Sequence, residues 1–189
     1  MSAPGGLRLA VGLLTIVPVR PPETIGRPQA RAAMLLAPLA VLPVALAATG
    51  IGWLAVWLGL PSALAGVLVV AALAVGTRAM HLDGLADTTD GLGSGKDADA
   101  ALEIMRRGDV GPMGVVALVL ALGAQALAAG AVLGRPFGWV SLVVLVCASR
   151  GALVLGCMRG VTAARPDGLG ALVADSVPLP TAATGWLVL

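Results

Sequence analysis

From Ala32 to Thr77 the chain runs for 46 positions without a charged residue. One membrane-spanning helix needs about 20 apolar residues, so this stretch is long enough for two. The break at Gly59, Leu60, Pro61 and Ser62 divides it into a hairpin, with spans near 33–57 and 62–80. A third span is expected at 110–133 and a fourth at 138–158, the latter with Arg150 inside it. Apolar sequence resumes at Thr181, where a fifth span begins and is cut short, so the chain reads as a piece of a longer protein. Near the N-terminus Arg8 precedes an apolar run, Leu9 to Val19, with no small-residue cleavage site after it. That pattern predicts an interfacial or re-entrant helix over about 7–19 rather than a signal peptide. The expected fold class is all-α: a polytopic integral membrane helical bundle, one domain over 1–189, with an aspartate-rich cytoplasmic loop at 78–109.

Composition narrows the function classes. Hydrophobic residues make up 58% of the 189 and charged residues 12%. A soluble domain carries about a quarter charged residues, so the lipid bilayer is the expected surrounding. The net charge is only +2, the basic residues are scattered, and there is no tyrosine and a single phenylalanine. Neither a phosphate-backbone footprint nor a base-stacking platform is present, which excludes nucleic acid as the partner. Ten of the twelve basic residues lie in segments 1–31, 78–109 and 159–180, and only Arg135 lies in a loop on the opposite side. Basic residues are enriched in cytoplasmic loops, so the N-terminus and the 78–109 loop are expected on the cytoplasmic side of the cell membrane. Trp53, Trp57 and Trp139 then fall at the outer ends of their spans. Cys147 and Cys157, ten residues apart on one helix, would be about 15 Å apart along its axis and form no disulfide. The 26 glycines permit close helix packing in lipid, and assembly into a homo-oligomer is left open.

The loop that follows the hairpin holds most of the polar chemistry: 11 of its 32 residues are charged. It opens with HLDGLADTTDG, residues 81–91, in which Asp83, Asp87 and Asp90 are spaced i, i+4, i+7. On a helix these acids lie within about 60° of one another. Like charges on one stripe repel, and no basic residue lies between Arg78 and Lys96 to offset them. A cation from outside the chain is the simplest compensation. Hard carboxylate oxygens, one histidine and no nearby thiolate favour Mg²⁺ over zinc or iron, and Mg²⁺ brings phosphate chemistry with it. The alternative is a solvated helix end with Asp83 as its N-cap. His81 is either a general base or a structural hydrogen-bonder; it would face away from Asp83 on a helix running through both.

Gly91, Gly93 and Gly95 predict a flexible turn, followed by a short helix in DADAALEIMRRG that stops at Gly108. Glu103 either pairs with Arg106 and Arg107 on that helix or adds a fourth carboxylate to the metal set. Arg106, Arg150 and Arg165 are the candidate phosphate-binding cations. Arg150 stands out because an arginine within a span normally faces a polar cavity or a partner. Arg165 lies in TAARPDGLG, whose glycines let backbone approach a ligand, although the run also passes as an ordinary turn.

Together HLDGLADTTDG, the following ALEIM, and the VGPMG that opens the third span resemble the cobalamin synthase family, the adenosylcobinamide-GDP ribazoletransferases. LLTIVPV near the N-terminus and AARPDGLG near the C-terminus resemble that family as well. Here Arg106 and Arg107 are followed by Gly108 and Asp109, where the family usually has an acid sooner. The resemblance implies Mg²⁺-dependent transfer of alpha-ribazole, or its 5'-phosphate, onto adenosylcobinamide-GDP with release of GMP. It implies Asp83, Asp87 and Asp90 as metal ligands, and His81 or an aspartate as base. A CDP-alcohol phosphotransferase uses similar chemistry, but its signature places an alanine–arginine pair where this chain has Ala86 and Asp87. A cation-coupled transporter would need carboxylates near the middle of its spans, and these spans have none.

Overall fold

The computed structural model describes residues 3–22 and 24–182. Its helices are α1 (Ala3–Leu14), α2 (Arg27–Leu35), α3 (Ala37–Ala40), α4 (Leu42–Trp57), α5 (Ser62–Gly76), α6 (Met80–Gly93), α7 (Ala98–Ile104), α8 (Pro112–Leu133), α9 (Gly138–Ser149), α10 (Ala152–Leu155) and α11 (Gly168–Val173). Among the described residues there is no strand, only an isolated bridge between Met158 and Val177. The all-α expectation holds, and the chain is a helical membrane protein. Two helical stretches, Pro112–Leu133 and Gly138–Leu155, are long and apolar enough to cross a membrane, and the bent pair α5–α6 makes a third if counted as one span. Large apolar side chains such as Val119, Leu120 and Leu127 of α8 are exposed, as lipid-facing positions are. The start of a fifth span at 181 lies, beyond Ala182, outside the described residues.

The chain divides into two compact units, Met1–Thr49 with Trp139–Leu189, and Gly50–Gly138. In the first unit Ala10, Leu14, Ala30, Ala33, Val41 and Val177 belong to a core of small buried residues. Cys157 is buried in the same core and Cys147 is half-buried, both as free thiols, as their spacing predicted. The helix expected over 7–19 ends at Leu14. The span expected at 33–57 is divided into α2, α3 and α4. Pro38 and Pro43 are the reason: each lacks an N–H and is accommodated in the first turn of a new helix, α3 and α4 respectively. The span expected at 138–158 is interrupted between α9 and α10, with Arg150 at the break.

In the second unit α5 packs against α8 through backbone. A Cβ on Gly66 would collide with the carbonyl oxygen of Ala126, and one on Gly130 with that of Ser62. These two glycines bring the helices closer than any side chain would allow. The span expected at 62–80 stops at Gly76, where the chain turns by 93° into α6. Arg78 and Ala79 make this corner in the left-handed region, with φ of 54° and 53°. The Ala79 N–H donates to Ala74 O at 2.8 Å and the Arg78 N–H to Val75 O at 3.1 Å, which closes the end of α5 in a Schellman pattern. Glycine usually occupies such a position, and two non-glycine residues store about 1–2 kcal/mol each there.

Candidate active site on the acidic helix

Helix α6 begins at Met80, so it contains His81 and all three aspartates. Their i, i+4, i+7 spacing therefore becomes a real stripe. Asp83 is exposed in the first turn, and Asp87 and Asp90 are half-buried further along. Asp83 is not an N-cap, because Ala79 holds that position in a left-handed conformation. At 100° per residue His81 points about 160° away from Asp83, so the histidine and the acids occupy different faces of one helix. The flexible turn expected at Gly91, Gly93 and Gly95 is also revised: α6 continues through Gly93, and only Gly95 has a positive φ, 64°.

Asp90 is engaged differently from the other two acids. The Gly111 N–H donates to its Oδ2 at 2.7 Å and the Gly114 N–H to its Oδ1 at 2.8 Å. Both carboxylate oxygens thus cap the first turn of α8, whose N-cap is Gly111 and has no side chain of its own to do so. A carboxylate at a helix N-terminus meets free N–H groups and the positive end of the helix dipole. Substituting either glycine would crowd it, since a Cβ on Gly111 would come within 2.6 Å of Asp90 Oδ1 and one on Gly114 would collide with Oδ2. The DG and VGPMG segments are therefore two halves of one clamp. Next to it, Gly91 is buried against Met105: a Cβ there would lie 2.6 Å from the Met105 methyl group. The methionine of LEIM needs that glycine in order to pack α7 on α6.

Helix α7 has Asp97 as its N-cap, accepting from the Ala100 N–H at 2.9 Å. It ends at Ile104, so Arg106 and Arg107 stand in an exposed turn instead of one helical step above Glu103. The expected helix-face pairing therefore lacks its helix. Glu103 is exposed on α7. Among the described residues no three His, Cys, Asp or Glu side chains converge into a ready metal cage. Asp83 and Asp87, one turn apart and free of backbone bonds of the Asp90 kind, are the two carboxylates of the stripe that could hold a cation whose other positions are filled by phosphate and water.

The remaining candidate cations belong to the first unit. Arg150 donates from Nη1 to Ser149 Oγ at 2.9 Å. Arg165 lines a cavity of about 480 Å³ together with Arg27, Thr162, Ala171 and Asp175. Sequence reasoning passed over Arg27 and Arg31, although their i, i+4 spacing in RPQAR was the available signal.

A family model described as cobalamin-5-phosphate synthase matches residues 6–189. The chain belongs to this family. Among curated relatives, the adenosylcobinamide-GDP ribazoletransferase of Nocardioides sp. is 48% identical over 182 residues, covering 96% of this chain and 78% of the relative. The adenosylcobinamide-GDP ribazoletransferase of Frankia casuarinae is 39% identical over 188 residues, covering 95% of this chain and 68% of the relative. No solved structure matches. Within the family match lie both halves of the Asp90 clamp and the whole acidic helix.

Proposed function

We propose that the chain is a membrane-embedded transferase that joins alpha-ribazole, or its 5'-phosphate, to adenosylcobinamide-GDP and releases GMP. Family membership supports a transferase of cobalamin synthesis. The observation that carries the chemistry is the division of labour on α6: Asp90 is bound to the α8 amides, and Asp83 and Asp87 are left on the same stripe for a cation. In this reading Asp83 and Asp87 hold Mg²⁺, which when bound neutralises diphosphate charge and stabilises the departing phosphate. A free ring hydroxyl of the ribose, not the 5'-oxygen that carries the phosphate in the phosphorylated acceptor, bonds to the cobinamide-linked phosphorus as the bond from that phosphorus to the GMP oxygen breaks. The hydroxyl proton goes to a carboxylate of α6, since His81 lies on the other face of the helix. Arg106, in the same unit as α6, balances the charge on GMP. Asp90 keeps the stripe in register by fixing α6 to α8.

In this reading α6, bent by 93° from α5, lies along the bilayer surface, where a bulky amphipathic corrinoid has its polar groups in water. The distribution of basic residues supports a cytoplasmic face for this surface and for the N-terminus. The direct test incubates the protein in nanodiscs with adenosylcobinamide-GDP, alpha-ribazole and Mg²⁺ and follows GMP. Mg²⁺-dependent GMP release is the expected result, and its absence from a folded preparation overturns the assignment.

A further inference from the structure

The first unit contains a second concentration of charge, opposite in sign to α6. Two cavities, of about 480 Å³ and 280 Å³, share Arg27 and Asp175 as walls. Arg165 lines the larger and Arg31 the smaller, so three guanidinium groups face a single carboxylate. The chain itself accounts for Arg27 and Asp175. Arg27 donates from Nη1 to Ala171 O at 3.2 Å and from Nη2 to Ala174 O at 2.6 Å, closing the C-terminal end of α11. Asp175 accepts from the Gly160 N–H at 2.8 Å, in a loop where Asp175 itself has φ of 56°. Arg31 is different: its Nε is buried with no hydrogen-bond partner. A buried cationic N–H without an acceptor is costly, and the natural acceptor is an anion with several oxygens. The larger cavity also falls within the range that small-molecule ligands occupy, roughly 300–1,000 Å³.

We propose that these paired cavities bind a ribonucleotide by its phosphate, with Arg31 and Arg165 meeting the phosphate oxygens and Arg27 holding the wall. The proposal rests on the reading that the protein handles phosphorylated ribonucleosides. Phosphate is favoured over a carboxylate because guanidinium groups in two neighbouring walls suit an acceptor that presents oxygens in more than one direction.

The test is calorimetric titration of the protein in nanodiscs with EDTA present, which removes any contribution of Mg²⁺ at α6. Two pairs of probes are compared: GMP with guanosine, and alpha-ribazole 5'-phosphate with alpha-ribazole. The expected result is that in one pair the phosphorylated member binds at least about tenfold tighter. The pair that does so identifies the occupant. Arg31→Gln and Arg165→Gln should each erase most of that ratio with the elution profile and melting temperature retained. If Arg31→Gln does not fold, Arg31→Lys keeps the charge, loses Nε, and should reduce the ratio several-fold in a folded protein. Equal binding within both pairs, or an unchanged ratio in the folded arginine variants, overturns the proposal. Asp83→Asn separates the two readings, because it should leave the EDTA titration unchanged. GMP release without any phosphate preference sinks the cavity site alone, and phosphate preference without GMP release sinks the activity alone.

Discussion

The acidic helix in one unit and the arginine-lined cavities in the other are organised by the same rule with the signs reversed. On α6 the carboxylate of Asp90 binds N–H groups at the start of α8. In the first unit the guanidinium of Arg27 binds carbonyl groups at the end of α11. Helix starts offer donors and positive potential, and helix ends offer acceptors and negative potential. Each region thereby commits one charged residue to architecture, while Asp83 and Asp87 make no such backbone bond and the Nε of Arg31 has no hydrogen-bond partner. The regions differ in how firmly the committed residue is held. Asp90 is half-buried and makes two charge-assisted bonds, whereas Arg27 is exposed and one of its two bonds is 3.2 Å long.

The comparison breaks first if function and architecture do not separate on α6. Asp83→Asn and Asp87→Asn should each lower Mg²⁺-dependent GMP release by on the order of a hundredfold or more, with the melting temperature unmoved. Full turnover in both variants would refute their ligand roles. Asp90→Ala should do the reverse, destabilising the folded protein by about 2–3 kcal/mol because two N–H groups of α8 lose a charged acceptor. A thermal melt in detergent reads this, and an unchanged melt would mean that the clamp contributes nothing to stability. Gly114→Ala tests the clamp from its other half: the new Cβ collides with Asp90, for an expected cost of about 1–3 kcal/mol. In the other unit Arg27→Ala should cost less than Asp90→Ala, about 1 kcal/mol, since its acceptors are neutral and the site is exposed. A larger loss from Arg27→Ala would invert the ranking of the two regions. The smallest effect belongs to the corner before α6. Ala79→Gly relieves a left-handed alanine and should leave stability within about 1 kcal/mol of the parent, whereas Ala79→Val should lower it.

Some of this organisation is legible in local sequence. The apolar run that became α8 appears at nearly its observed limits, because a long helix in lipid is determined by the hydropathy of its own residues. Asp97 as the cap of a short helix and the helical spacing of the three acids are local properties of the same kind. Pro38 and Pro43 were also visible, yet the hydropathy of 33–57 suggested one span because apolar content is insensitive to a missing N–H. The end of α5 at Gly76 was harder to read, since left-handed Arg78 and Ala79 carry no turn signature. The helix expected to run to Gly108 instead stops one residue after Glu103, so Arg106 and Arg107 leave its face.

The sequence by itself determined that the chain is helical, that it belongs with lipid, and that Asp83, Asp87 and Asp90 share one stripe. Those properties depend on residues within a turn or two of each other, and periodicity records them directly. Only the tertiary structure decided which acid the fold would claim. The amides that bind Asp90 come from 21 and 24 residues further along the chain, and the carbonyls that bind Arg27 from 144 and 147 residues further along. A helix terminus has no side-chain signature at such a distance. Its dipole and its unpaired groups select a charge only when packing brings the two together.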